Sequence, residues 1–115
     1  MTRTPTEVIH DHLAKRLAGD VEGDIKENFD ENILILSSFG VFEGHDGVRA
    51  SAKLLDEKVG DAVFHYNRTL VDRDYGFLEW SADSDNVKVW DGADSFVVQD
   101  GKIVLQTIHY TAQQV

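Results

Sequence analysis

Cysteine is absent from the 115-residue chain, so disulfides, thiolate nucleophiles and cysteine-ligated zinc are excluded and stability rests on packing. Positive charge is scarce. Eleven Lys and Arg face 21 Asp and Glu, a formal net charge of −10. Such a surface repels phosphate backbones and anionic headgroups, and no basic stripe interrupts it, which argues against nucleic-acid and membrane partners. No apolar run reaches the length of a membrane span, and Met1 to Thr6 lacks the apolar stretch of a signal peptide, so a cytoplasmic protein is expected. Glycine-rich nucleotide loops, the Gly-x-Ser-x-Gly elbow and His-Glu-x-x-His are all missing, which removes support for dinucleotide, nucleoside triphosphate, serine hydrolase and zinc protease chemistry. Asn67-Arg68-Thr69 matches a glycosylation sequon but lies in a predicted strand of a chain without an export signal, and is read as chance.

What is present is ordinary globular material: 42% hydrophobic and 28% charged residues, with no repeat and a single proline. The length fits one domain over residues 1–115. Thr4-Pro5-Thr6-Glu7 has capping-box spacing with proline at the first helical position, so a helix starts there, carrying Ile9, Leu13 and Leu17 on one face and ending at Gly19. Asp20 caps a second helix with Val21, Ile25 and Phe29 as its stripe. The neighbouring acids Asp20, Glu22, Asp24, Glu27, Asp30 and Glu31 read as a solvated helix face. Ile33 to Phe39 and Val41 to Glu43 form a strand, bend and strand. Asp46 then caps a third helix with Val48, Ala52, Leu55 and Val59 inward and Gly60 as its stop. Residues 62–72, 76–84, 87–98 and 102–112 read as a four-strand antiparallel meander. Helices first and strands later give an α+β class: an antiparallel sheet of about six strands with three helices gathered on one face. Several strands are apolar on both sides, so the outer face is expected to pack on a second copy as a homodimer.

Asp100-Gly101 between apolar runs is a two-residue type I′ turn, which sets the register of the last hairpin. Uninterrupted counting pairs Gln99 with Lys102, Val98 with Ile103, Phe96 with Leu105 and Asp94 with Thr107, and places His109 diagonal to Asp94. A carboxyl, a hydroxyl and an imidazole would then share an apolar face. There a carboxyl is paired, hydrated or held neutral, the conditions for acid/base work. The bland alternative puts Asp94 at an exposed rim and His109 in solvent. His12 flanks the first helical stripe, where its ring either reaches the space between helix and sheet or merely packs. His10 and His12 are about 200° apart on a helix and cannot grip one ion. His45 lies in a turn and His65 on a strand whose facing is open, which leaves a composite site as the alternative, and no metal or organic cofactor is expected. Trp80 and Trp90 either line a ligand cavity or fill the core, with Glu79 facing opposite to Trp80.

Leu17 to Phe29, Phe42-Glu43-Gly44-His45-Asp46-Gly47-Val48-Arg49, Glu79-Trp80 and Asp94 to Val104 together resemble the nuclear transport factor 2-like superfamily, and within it SnoaL-like polyketide cyclases and ketosteroid isomerase-like proteins. The resemblance spans nearly the whole chain and implies a cystatin-like cone with a curved sheet around an apolar pocket, often dimeric through the outer sheet face. It places Ser37 where the isomerases carry their general-base aspartate, which speaks against steroid isomerisation. It places His12 at their oxyanion-hole tyrosine and Asp94 at their protonated aspartate. The expected catalytic groups are therefore Asp94, His12 and His109, with Trp80, Ser37, Phe96, Thr107 and Leu105 binding a small apolar or carbonyl-containing molecule. The expected chemistry is proton transfer next to a carbonyl, in a cyclase, isomerase or hydratase. The alternatives are a non-catalytic ligand-binding or dimerisation module of the same fold, and electrostatic recognition of a basic protein.

Overall fold

In a computed structural model, which describes residues 2–115, helix α1 (Pro5–Leu17) begins as its sequence dictates. Thr4 Oγ1 accepts the Glu7 N–H at 3.2 Å, and Glu7 Oε1 accepts the Thr4 N–H at 2.9 Å. The exchange satisfies two donors that a helix start leaves open. Val8, Ile9, His12 and Leu13 form the buried face, whereas Leu17 is 61% exposed because α1 ends there, at the rim of a cavity. Asp20 caps α2 (Val21–Asn28) by accepting the Gly23 N–H at 2.9 Å. The chain then enters β1 (Phe29–Ser37) and folds back through β2 (Gly40–Glu43).

Helix α3 (Gly44–Val59) starts earlier than predicted, straight after β2. Gly44 takes a φ of 70°, which lets the chain turn from strand into helix without a connecting loop. Asp46 therefore sits inside the first turn and bonds Arg49 at 2.7 Å instead of capping. Gly60, at φ 57°, ends α3 as expected.

The meander is β3 (Val63–Asp72), β4 (Tyr75–Asp83), β5 (Val87–Gln99) and β6 (Lys102–His109), with the short β7 (Gln113–Gln114) on β5. The sheet order is β2-β1-β6-β5-β4-β3. One pairing departs from the expected all-antiparallel sheet: β1 and β6 run parallel. The crossover through α3 carries the chain to the far edge, where β3 runs opposite to β1, and the three reversals of the meander bring β6 back beside β1 in the same direction. The sheet is mixed, curved and unclosed. Its helix-covered face holds the core, including Ile9, Ile25, Phe29, Ile33, Ile35, Leu78, Phe96, Val98 and Ile103. Burying such side chains contributes about 1.5–3 kcal/mol each.

The β5–β6 turn is the predicted one, with φ of 53° at Asp100 and 75° at Gly101. Gln99 pairs with Lys102 and Val98 with Ile103 as counted, but Val97 then pairs with Leu105. Val104 is an extra residue, a bulge that lets Ile103 and Gln106 both point inward. Every later pair shifts by one: Phe96 faces Gln106, Ser95 faces Thr107, Asp94 faces Ile108 and Ala93 faces His109. The predicted pairs Phe96–Leu105 and Asp94–Thr107 do not form. The phase of β5 is untouched, so Asp94 still points to the helix side, while Leu105, Thr107 and His109 turn to the other face.

Candidate functional site

Between the three helices and the sheet lies a cavity of about 810 Å³. Leu13, Ile35, Val48, Leu55, Val59, Phe64, Leu78 and Ile108 give it largely apolar walls. Polar groups reach it from the sheet and α1, with His12 and Arg16 from α1, Tyr66 from β3, Trp80 from β4, Asp94 from β5, Gln106 from β6 and Tyr110 just beyond, while Glu22, Arg49, Ser51, Lys53 and Asp56 border it on α2 and α3. That composition, apolar walls with a few convergent polar groups, is what small-molecule sites share.

Asp94 is 9% exposed. Trp80 Nε1 donates to its Oδ1 at 3.1 Å and Gln106 Nε2 donates to its Oδ2 at 3.2 Å. Burial pushes the carboxyl up to about 6, against the opposing pull of the Trp80 N–H, positive charge at His12, the Gln106 amide and Arg16. Trp80 reaches Asp94 because its β5 partner is Gly92: a Cβ there would collide with the indole ring. Asp94 in turn raises Tyr110, which burial first and the nearby carboxylate second push up to about 12. Tyr66 is also raised, by burial, with the Arg16 charge opposing.

His12 is held from behind. Its Nδ1 lies 2.8 Å from Asp24 Oδ2, and its ring stands edge-on to Phe29 and Phe96 at 5.4 Å. Asp24 is fully buried, and its Oδ1 accepts the Asn28 Nδ2 donor at 2.9 Å. With Nδ1 committed to Asp24, the cavity-side nitrogen of His12 is Nε2, which bonds no described residue.

Of the expected site residues, the fold brings Asp94, His12 and Trp80 together on the cavity. Phe96 supports the His12 ring from beneath. Ser37 stands at the end of β1, where its Oγ accepts the Phe39 N–H at 3.1 Å, outside the cavity lining. Thr107 Oγ1 accepts the Ser95 N–H at 3.2 Å on the opposite face of the sheet, and Leu105 faces the same way. His109 is exposed and paired with Asp91 at 3.3 Å. The Val104 bulge is the reason for all three displacements on β6. Trp90 is 71% exposed and belongs to neither core nor cavity. Among the described residues no three His, Cys, Asp or Glu side chains converge as a metal site.

Arg16, Tyr66, Gln106 and Tyr110 on the cavity, and Asp24 behind His12, are absent from the sequence expectation for the site. Gln106 and Tyr110 were hidden by the bulge. Arg16 is one turn past His12. Asp24 was assigned to a solvated face, yet Val21, Asp24, Ile25 and Asn28 occupy i, i+3, i+4 and i+7, the spacing of an inward helix face. That spacing was the available clue.

A helix-covered, curved mixed sheet with a cavity between helices and sheet defines a cone-shaped α+β class. The SnoaL-like domain family matches residues 9–106, and the chain belongs to that family, within the nuclear transport factor 2-like superfamily. Among solved structures, a Mesorhizobium loti protein named as a SnoaL-like polyketide cyclase or carbohydrate phosphatase superposes with a TM-score of 0.73 at 19% identity, over 94% of this chain and 100% of its own. The epoxide hydrolase/cyclase-like enzyme SalBIII, of pyran ring formation in the polyether salinomycin, superposes at 0.73 and 18% identity, over 93% and 90%. A nuclear transport factor 2-like protein of unknown function from Burkholderia xenovorans gives 0.74 and 16%, over 93% and 82%. These likenesses establish the cone fold. No curated protein matches the chain by sequence.

Proposed function

We propose that this SnoaL-like protein binds a largely apolar, carbonyl-containing small molecule in the cavity and moves a proton at the carbon beside the carbonyl, as an isomerase, cyclase or hydratase. The observation that carries this reading is a buried carboxyl, tuned to about 6, lining the same apolar cavity as an imidazole anchored by Asp24. Trp80 and Gln106 each give one N–H to Asp94, an arrangement suited to the carboxylate. The carboxylate takes the α-proton, the C–H electron pair enters the enolate, and protonated His12 donates Nε2–H to the enolate oxygen. Asp24 stabilises the charge on His12 while this happens. Return of the proton to another carbon isomerises the substrate. Attack of the enolate carbon on a second carbonyl closes a ring, with the proton passing to the new alkoxide. The cyclase names carried by two structural neighbours support the ring-closing variant. The scheme uses no organic cofactor and no metal.

A second reading, binding without turnover, is favoured by one observation: both Asp94 oxygens are already engaged by protein donors. Deuterium exchange of the α-protons of propiophenone, followed by proton NMR, separates the two. The wild type is expected to accelerate exchange over buffer and Asp94→Asn to lower that rate by about 10²–10⁴-fold. Equal rates in both proteins end the proton-transfer reading and leave the binding one.

We also propose a homodimer through the outer sheet face. Leu70 faces Phe77, Tyr75 faces Val97, Val97 faces Leu105 and Leu105 faces Leu34, an apolar band across five strands. Light scattering on a sizing column is expected to give twice the chain mass. A monomer at micromolar concentration refutes it.

A further inference from the structure

Arg16 is unlike the other arginines of the described residues. Arg3 donates to Asn28 and to the Glu27 and Gly101 carbonyls, Arg49 is bonded to Glu22 and Asp46, and Arg68 and Arg73 are exposed. The Arg16 side chain is 22% exposed, lines the cavity, and donates no hydrogen bond to any described residue. Its nearest carboxylate, Asp24, stands 3.8 Å away, beyond hydrogen-bond reach, and both Asp24 oxygens already accept from His12 and Asn28. Asp24 thus balances part of the charge of Arg16 without using its donors. A guanidinium presents five N–H groups in a planar fork, and covering it without acceptors is costly.

We infer that Arg16 is the anchor for an acidic group on the ligand, so that the site takes a keto acid, or another apolar carbonyl compound bearing a carboxylate, in preference to a neutral ketone. The inference rests on the proton-transfer reading for the carbonyl end. Arg16 follows His12 by one helical turn, which sets their Cβ atoms about 5–6 Å apart on the same face. The carboxylate and the reacting carbonyl then belong to one small molecule, a few bonds apart. The Tyr66 hydroxyl, close enough to Arg16 to feel its charge, supplies a further donor at the acidic end. Arg49 and Lys53 also border the cavity, but Arg49 is already tied to Glu22 and Asp46, which leaves Arg16 as the fork that faces inward.

The test compares benzoylpropionate, whose carboxylate lies two methylenes from an aryl ketone, with its neutral primary amide. Binding is read from Trp80 fluorescence in a Trp90→Phe background, since Trp80 lines the cavity and Trp90 is exposed. The carboxylate is expected to bind about tenfold or more tightly than the amide, the size of one charge-assisted bond. Arg16→Gln is expected to bring the carboxylate down to the affinity of the amide, abolishing that preference; binding of the amide also certifies the folded pocket. Should Arg16→Gln fail to fold, Arg16→Lys, which keeps the charge and loses the fork, is expected to retain a reduced preference. Equal affinities in the wild type, binding of neither compound, or a preference that survives Arg16→Gln overturns the inference. Exchange of the neutral ketone is read in the wild type and Asp94→Asn with no carboxylate present, so failure of the acid preference and failure of the proton-transfer reading are separate results.

Discussion

Two of the histidine–aspartate pairs in this molecule share chemistry and differ in burial. His12 and Asp24 meet at 2.8 Å with side chains 4% and 0% exposed, whereas His109 and Asp91 meet at 3.3 Å with 59% and 44% exposed. Water screens the second pair and competes for each partner. The first has no such competitor, so each group depends on the other. Residue identity and even contact therefore say little about role. Burial decides whether an imidazole is held in one orientation or left to solvent.

The largest effect expected from breaking that comparison is at Asp24. Asp24→Ala strands a buried imidazole and Asn28, and is expected to lower stability by about 3–5 kcal/mol in urea denaturation. If the loss is no greater than at the exposed pair, burial is not what separates them.

Next is the pH dependence set by Asp94. Its ordinary value is 3.8 and in the fold it is about 6. Between those values the native chain holds a proton that the unfolded chain has released. The contribution of Asp94 therefore falls as pH rises from about 4 to about 6 and stays low above, a change of about 2–3 kcal/mol. The difference between wild type and Asp94→Asn, measured across that window by urea midpoints, is expected to show this slope. A parallel pair of profiles removes the buried carboxyl from the account. The smallest effect is at His109: His109→Ala is expected to cost less than about 1 kcal/mol and to leave ligand binding unchanged.

Much of the fold was legible because the relevant rules act over a few residues. The Thr4–Glu7 capping box, the Asp20 cap, the Gly60 stop and the Asp100-Gly101 turn all appear as read, since each depends on hydrogen bonds and φ preferences that neighbours along the chain supply. Site legibility stopped at the bulge. Nothing in Lys102 to His109 marks Val104 as the residue to be left out of the ladder, and one such residue exchanged Leu105, Thr107 and His109 for Gln106, Ile108 and Tyr110 on the cavity side. Asp24 shows a different failure. Its spacing pointed inward, but the surrounding acids made the helix look solvated, and the charge was read ahead of the period.

The amino-acid order by itself determined the caps of α1 and α2, the stop of α3, the Asp100-Gly101 turn, and that Asp94 falls on the same side of β5 as Phe96 and Val98, because caps, turns and alternation are local properties of the backbone. Only the tertiary structure decided what Asp94 meets. The parallel β1–β6 pairing, the slipped β5–β6 ladder and the His12–Asp24 contact join residues far apart in the chain, and their energies depend on water having been excluded from the space between them.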